Sequence, residues 1–209
     1  MSDAPLLALE GVSKIYRRGL FDRALNRPPA FRLDVDCRFD APGIVGVMGP
    51  NGAGKTTLFE MIAGSNVPTE GRVMVAGRDM QRVRYGERDR LAIHYHQSYQ
   101  VRHFSRTRPS FLLDPAGSAY PVVHLFDEPQ FNTQDGYIGF MLDFFRRLRA
   151  EHRLVFICLH PTASLHLELL REICERFIFV SDGRAREFAT FGEIVADAGV
   201  RNYLGMLAP

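Results

Sequence analysis

Residues Gly49–Thr57 read "GPNGAGKTT", a glycine-rich stretch with one lysine and two threonines at its end. It fits the pattern G-x-x-x-x-G-K-[S/T] at every fixed position, between an apolar run, "GIVGVM", and a segment with helical spacing, "KTTLFEMIAG". Glycines let the backbone wrap closely around a phosphate, so that successive N–H groups and the positive end of the following helix point at it. The stretch therefore predicts a nucleotide-binding loop between a strand and a helix.

Each residue type in this loop has an expected task. Lys55 is expected to reach the β- and γ-phosphate oxygens, and the Thr56 hydroxyl is expected to ligate Mg²⁺. The predicted nucleotide contacts comprise the whole stretch: Gly49, Pro50, Asn51, Gly52, Ala53, Gly54, Lys55, Thr56 and Thr57.

A second motif, "VVHLFDEP", supplies two adjacent carboxylates at the end of an apolar run. Asp127 is predicted to hold Mg²⁺ through water, and Glu128 is placed to take a proton from an attacking water molecule. His124 lies inside the apolar run and is predicted to be a packed core histidine. Together with the loop, this motif indicates nucleotide hydrolysis.

Composition narrows the class of protein further. A chain of 209 residues can form one well-packed α/β domain, and its net charge of +2 gives no argument for nucleic-acid binding. No run approaches the roughly 18 apolar residues of a membrane span, and the first residues lack the pattern of a signal peptide. Cys37, Cys158 and Cys174 form no CxxC pair and are expected to be reduced and buried.

Alternating strand and helix patterns indicate an α/β domain with a mainly parallel sheet. The near-continuous apolar runs "VVHLF" and "RLVFICLH" are typical of strands covered on both faces. "FRLDVDCRF" alternates instead, with Phe31, Leu33, Val35, Cys37 and Phe39 on one face. One terminal helix is predicted over "FGEIVADAG".

In "GPNGAGKTTLFEMIAG" and "EGRVMVAGRDM" the chain resembles the ATP-binding cassette (ABC) ATPases, in particular the nucleotide-binding subunits of transporters. The resemblance covers most of the chain. It implies a single ABC-type domain over residues 1–209, a P-loop NTPase with a mainly parallel sheet and N-terminal antiparallel strands. It also implies ATP and Mg²⁺ as ligands, a second ATPase subunit in a homo- or heterodimer, a membrane permease partner, and a place on the cytoplasmic face of the membrane.

The resemblance implies roles for three more residues. Tyr16 in "VSKIY" matches the aromatic that stacks on adenine, although it also fits an ordinary aromatic at a strand end. Gln97 in "IHYHQ" matches the glutamine that contacts Mg²⁺ and the attacking water, and His160 in "LVFICLHP" matches the switch histidine that contacts the γ-phosphate.

Three other histidines invite a metal-site interpretation. His94 and His96 share one face of a predicted strand, and His103 follows nearby. A zinc site needs a fourth ligand, and none is close in sequence. A solvated or loop role is therefore favoured for all three.

The segment "HFSRTRPSFLLD", residues 103–114, departs from the family pattern. Family members carry a helical subdomain after the glutamine, ending in the signature LSGGQ. At that place this chain has "FSRTR", with Ser105 at the position of the serine and with Arg106 and Thr107 replacing both glycines. The subdomain is predicted to be reduced to about residues 98–114, and Arg106 or Arg108 is a candidate arginine finger toward a partner's ATP.

Three functions fit these observations. The first is the energising subunit of an ABC transporter, in an asymmetric pair because the signature is altered. The second is a non-transport ABC-type ATPase that acts as an ATP-driven switch in a protein complex. The third is a module that binds ATP without turnover, and the intact set Lys55, Asp127, Glu128 and His160 counts against it.

Overall fold

The computed structural model of the chain describes residues 4–19, 28–95, 121–129 and 137–208. Within these ranges the chain forms a ten-stranded sheet with helices packed against it. In chain order the strands are β1 Leu7–Tyr16, β2 Phe31–Phe39, β3 Gly43–Met48, β4 Glu70–Val75, β5 Arg78–Asp79, β6 Ala92–Tyr95, β7 Val123–Asp127, β8 Leu154–Cys158, β9 Arg176–Ser181 and β10 Arg184–Phe188.

Three of the described helices follow strands of the parallel part, one connects the antiparallel β5 to β6, and two lie at the end of the described chain. They are α1 Lys55–Ala63, α2 Tyr85–Arg88, α3 Tyr137–Ala150, α4 Ser164–Ile173, α5 Phe191–Ala196 and α6 Ala198–Leu204, with a 3₁₀ turn at Gly205–Leu207. None of these helices is long and apolar enough to cross a bilayer.

The sheet has a parallel and an antiparallel part, in the order β5-β4-β1-β2-β10-β9-β3-β8-β7-β6. Strands β9, β3, β8, β7 and β6 pair in parallel, whereas β1 pairs antiparallel with β2 and β4. This architecture confirms the predicted fold class, a mainly parallel α/β core with N-terminal antiparallel strands.

Burial explains why the two kinds of strand look different in sequence. Every residue of β3, β7 and β8 is buried, because side chains pack against both faces of this part of the sheet. In β2 the predicted alternation is confirmed: Leu33, Val35, Cys37 and Phe39 are buried and their neighbours are more exposed. Because these parallel strands are buried along their whole length, we expect the charged side chains of a site to lie at the strand ends.

The prediction of one terminal helix is wrong, because the helix is broken at Asp197. This residue has an extended backbone (φ −65°, ψ 132°) and begins α6, where its side chain accepts a hydrogen bond from the backbone N–H of Val200 at 3.0 Å. Its carboxylate also receives two hydrogen bonds from Arg186, at 2.6 and 2.9 Å. A charged N-cap with a second partner favours a new helix start over continuation.

Several predictions fall outside the described residues. They concern Gln97, His96, His103, the signature-like "FSRTR" and the segment of about 98–114 predicted to be a reduced helical subdomain. The three cysteines are described, and all are buried free thiols whose pKa burial raises.

Candidate nucleotide-binding site

The glycine-rich loop follows β3 and is held in a shape that only glycine permits. Gly49 has φ 151°, and a Cβ atom there would lie 2.1 Å from the backbone oxygen of Val180 on β9. Gly54 has φ 109°, and a Cβ atom there would lie 2.7 Å from the ring of Phe31 on β2. The glycines therefore let the loop close against both parts of the sheet.

The helix after the loop, α1, begins without a side-chain cap. Gly54 occupies the cap position, and the first turn contains no acidic residue. The first N–H groups of a helix lack intrahelical partners and carry the positive end of the helix dipole. This end of α1 is suited to an anionic ligand such as phosphate.

Lys55 is buried under the loop, with 7% of its surface exposed. Its ammonium group donates to the backbone oxygen of Gly49 at 2.6 Å and to that of Pro50 at 2.9 Å. An ammonium group has three N–H donors, and one remains beyond these two contacts. A buried cation that keeps a donor at the base of a phosphate-shaped loop fits a polyphosphate ligand.

Asp127 ends β7 and is 4% exposed. One of its oxygens, Oδ2, accepts a hydrogen bond from the Thr56 hydroxyl at 2.9 Å and lies 3.4 Å from Nε2 of His94. Burial raises the pKa of Asp127, but the nearby His94 ring and the hydrogen bond from Thr56 outweigh burial and hold the pKa below its ordinary value. Asp127 is therefore a carboxylate at neutral pH, as a Mg²⁺ ligand must be.

Glu128, the next residue, adopts a left-handed backbone conformation with φ 51°. Its backbone N–H donates to the carbonyl oxygen of Cys158 at 3.0 Å, which fixes the turn at the end of the strand. A non-glycine residue in this region carries strain that is common at functional sites. The turn lets the consecutive residues Asp127 and Glu128 both face the same cleft.

The cleft has a volume of about 320 Å³, which is in the range of small-molecule sites. It brings together Tyr16, most of the glycine-rich loop, and the two carboxylates. Its described lining is Tyr16, Phe31, Asn51, Gly52, Gly54, Lys55, Thr56, Thr57, Asp127 and Glu128. Of the other predicted contacts, Gly49 and Pro50 bind Lys55 through their carbonyl oxygens, and Ala53 donates its N–H to Pro50 within the loop.

Two aromatic rings stand at the mouth of this cleft. Tyr16 is 40% exposed, and its ring centroid lies 5.7 Å from that of Phe31. The Lys14 ammonium lies 4.9 Å from the Tyr16 ring centroid, and the side-chain amide of Asn66 donates to the Tyr16 hydroxyl at 2.6 Å. Phe31 was not among the predicted site residues, although Tyr16 and Phe31 are direct partners in the β1–β2 pair.

The prediction of a solvated or loop role is wrong for His94, which lies within β6. Its side chain is 12% exposed and faces Asp127. Its ring centroid lies 5.6 Å from that of Phe59, and the two rings are nearly perpendicular. The contact of His94 with Asp127 follows from the parallel pairing of β6 with β7, because this pairing brings the ends of both strands to the same edge of the sheet. Among the described residues no group of three or more His, Cys, Asp and Glu side chains suits a metal ion.

His160 lies two residues after β8, and the structure gives it a partner from the end of the chain. Its Nδ1 is 2.9 Å from the hydroxyl of Tyr203 on α6. The described lining of the cleft does not include His160. Gln97, the remaining predicted site residue, is outside the described residues.

Comparison with known sequences agrees with this geometry. The family model described as ABC transporter matches residues 33–134. The chain is 40% identical over 77 residues to a methionine import ATP-binding protein of Nocardia farcinica, covering 37% of this chain and 21% of that protein. It is 35% identical over 88 residues to a lipoprotein-releasing system ATP-binding protein of Xanthomonas campestris, covering 42% and 34%. These alignments span a fifth to a third of the length of the curated relatives.

Comparison with solved structures extends the likeness of the fold to nearly the whole chain. A nucleotide-free ATP-binding cassette from an ABC transporter superimposes with a TM-score of 0.69 at 15% identity, covering 96% of this chain and 98% of that one. A dimeric cassette in a post-hydrolysis state, bound to ADP and Pi, gives a TM-score of 0.62 at 15% identity, covering 88% and 98%.

Proposed function

We propose that this chain is an ATP-binding cassette of the ABC type, which binds Mg-ATP in the described cleft and hydrolyses it to energise a transporter. One observation carries the proposal. The glycine-rich loop with Lys55, the pair Asp127 and Glu128, and the ring of Tyr16 all line one cleft. This combination supplies a phosphate cradle, a metal-binding carboxylate, a base and an aromatic surface in one place.

The residues present fit ATP with Mg²⁺. The loop glycines, the uncapped start of α1 and the buried Lys55 form an anion site. Mg²⁺ would be held by the Thr56 hydroxyl and by Asp127, with Gln97 as the third predicted contact. When bound, the metal ion would neutralise negative charge that develops on the phosphate during hydrolysis.

The chain's own groups divide the work of hydrolysis. Lys55 directs its remaining N–H toward a phosphate oxygen, since two carbonyl oxygens already occupy its other contacts. Asp127 stays ionised because the nearby His94 ring and the hydrogen bond from Thr56 keep its pKa low despite its burial. Glu128 accepts a proton from the attacking water, and the turn at its backbone orients it into the cleft.

The aromatic pair at the cleft mouth is assigned to binding of the adenine ring. Tyr16 presents an exposed ring whose hydroxyl is tied to Asn66, so the ring orientation is fixed before a ligand arrives. Phe31 lies beside it and also contacts the loop at Gly54. Together the two rings offer an apolar wall on which adenine can stack.

The proposed partners follow from the relatives and from the altered signature. The similar proteins are named as ATP-binding proteins for methionine import and of a lipoprotein-releasing system, and one similar structure is dimeric. We assign this chain to a dimer of cassettes attached to a membrane permease at the cytoplasmic face. The pair is asymmetric, because "FSRTR" lacks the glycines whose backbone N–H groups approach the partner's ATP.

Nucleotide-dependent stabilisation tests the binding half of this proposal. Mg-ATP at about 100 times its Kd should stabilise the native protein by about 2.7 kcal/mol, which is visible as a rise in Tm. Lys55→Ala should lose this rise, whereas Arg72→Ala, which removes an exposed cation paired with Glu10, should keep it. An undiminished rise in Lys55→Ala would refute the assignment of the cleft.

The transport half needs a separate measurement. The chain, purified from its own cells in mild detergent, should be recovered with a second cassette and a multi-span membrane protein. Recovery in a complex of water-soluble proteins alone would refute the transporter assignment and leave nucleotide binding intact.

A further inference from the structure

A hydrogen bond connects the end of the chain to the predicted switch histidine. The hydroxyl of Tyr203, on α6, lies 2.9 Å from Nδ1 of His160, and their ring centroids are 5.8 Å apart. The Tyr203 ring also packs on Phe179 of β9, with centroids 5.5 Å apart. Neither contact follows from sequence proximity, since His160 and Tyr203 are 43 residues apart.

The surroundings of the Tyr203 hydroxyl indicate the direction of this hydrogen bond. Burial raises the pKa of Tyr203 to about 12, against a backbone hydrogen bond from Gly49 that lowers it, so the hydroxyl keeps its proton at neutral pH. The proton that the hydroxyl keeps can be donated to Nδ1 of His160, which lies 2.9 Å from the hydroxyl oxygen. A neutral imidazole that accepts at Nδ1 carries its own proton on Nε2.

We propose that Tyr203 is a positioning residue that fixes His160 as the Nε2–H tautomer and orients its ring. The proposal rests on the function proposed above and on the role that the resemblance to ABC ATPases implies for His160, contact with the γ-phosphate. Only the Nε2–H tautomer offers that anion a hydrogen-bond donor while Nδ1 is held by Tyr203. The opposite tautomer would present a lone pair to the phosphate and repel it.

The position of Tyr203 is itself set by the anchoring of α6. The helix starts at Asp197, which caps Val200 and is bound by Arg186 with two hydrogen bonds. On its inner side Val200 and Leu204 are buried in the core. Tyr203 is thus held between a charged anchor and an apolar one, and it can pass this fixed geometry to His160 and to the first residue of the loop.

The tautomer can be read directly by NMR of protein labelled with ¹⁵N in the histidine rings, at pH 8 and without nucleotide. In the unsubstituted protein His160, assigned by comparison with His160→Gln, should show a protonated Nε2 and an unprotonated Nδ1. Tyr203→Phe removes only the hydroxyl and should give a mixture of tautomers. Tyr85→Phe, in a ring that is 83% exposed, is the control and should leave the His160 signals unchanged.

ATP turnover gives the second readout. Tyr203→Phe should lower kcat about 3- to 10-fold, the equivalent of one net hydrogen bond, with KM for ATP unchanged within about twofold. A loss confined to KM, or no loss at all, would overturn the positioning role.

The NMR experiment separates failure of this proposal from failure of the proposed function. A protonated Nδ1 in the unsubstituted protein would overturn the proposal whether or not ATP is hydrolysed, and this spectrum does not depend on any Tyr203 variant folding. An unchanged tautomer in Tyr203→Phe would overturn it as well. Absence of ATP binding by the unsubstituted protein would instead refute the proposed function and remove the premise.

Discussion

Mild acid is expected to destabilise the protein through His124, a histidine that is completely buried in β7. Its Nδ1 lies 3.1 Å from the hydroxyl of Tyr95, and its Nε2 lies 3.2 Å from the carbonyl oxygen of Pro121. The neutral ring satisfies both contacts, because one nitrogen donates to the carbonyl and the other accepts from the hydroxyl. This confirms the prediction of a packed core histidine.

The magnitude follows from the pKa. Burial lowers the pKa of His124 to about 3, although the hydrogen bond to Pro121 acts in the opposite direction. In the unfolded chain the pKa is about 6.5, so the unfolded state binds a proton that the native state does not. The contribution of this pKa difference to the free energy of unfolding is fully present above a pH of about 6.5. It is lost as the pH falls toward 3, at about 1.4 kcal/mol per pH unit. At pH 5 the loss is about 2 kcal/mol, which is a sizeable share of the roughly 5–15 kcal/mol by which native proteins are typically stable against unfolding.

Urea unfolding at pH 7.5, 6 and 5 measures this loss. The unsubstituted protein should lose about 2 kcal/mol more free energy of unfolding between pH 7.5 and pH 5 than His124→Phe, which has no proton to gain. His124→Phe will be less stable at pH 7.5 because it leaves the Tyr95 hydroxyl without this acceptor, so the pH slope is the readout. His152→Asn changes an exposed histidine and should keep the slope of the unsubstituted protein. Equal slopes in His124→Phe and the unsubstituted protein would refute the reasoning.

Three further changes test the site and its supports. Glu128→Gln should keep the Mg-ATP-dependent rise in Tm but lose ATP turnover by about 10²- to 10⁴-fold, the usual contribution of a general base; normal turnover would place the base elsewhere. His94→Phe keeps a ring beside Phe59 but removes the imidazole nitrogen that lies 3.4 Å from Asp127, so half-maximal ATPase should need about fivefold more Mg²⁺, for a polar contact of about 1 kcal/mol; an unchanged requirement would mean that His94 does not position Asp127. Asp197→Ala should lower the free energy of unfolding by about 1 kcal/mol in urea, and Asp197→Asn, which can still cap the helix, by less; equal values in all three proteins would show that apolar packing alone holds α6.

The glycine-rich loop and the paired carboxylates were predictable because each is dictated by local chemistry. Gly49 and Gly54 lie so close to the neighbouring strands that a Cβ atom at either position would clash with them. Asp127 and Glu128 follow a run of apolar residues that can only be a covered strand, so their position at a strand end was visible in the sequence. In both cases a few adjacent residues carry the whole signal.

Contacts between distant segments were not predictable in the same way. The pairing of His94 with Asp127 depends on the order of strands in the sheet, and the place of Phe31 depends on the register of β1 with β2. The contact of Tyr203 with His160 depends on the break at Asp197, which redirects the end of the chain. A capping aspartate inside an otherwise helical pattern was the signal for that break, but it does not indicate which group the second helix reaches.

The two parts of the sheet contribute different chemistry to the cleft, and this explains which side chains had to come from where. The parallel strands are buried on both faces, so charged groups such as Asp127 occur where a strand ends and the next loop begins. A surface for an apolar ring system cannot come from that polar edge. It comes from the antiparallel part, where Tyr16 is the last residue of β1 and Phe31 is the first residue of β2. The contact of Phe31 with Gly54 joins the two parts, because it sets the aromatic wall directly against the phosphate loop. A residue larger than glycine at position 54 would therefore disturb the aromatic wall and the phosphate loop together.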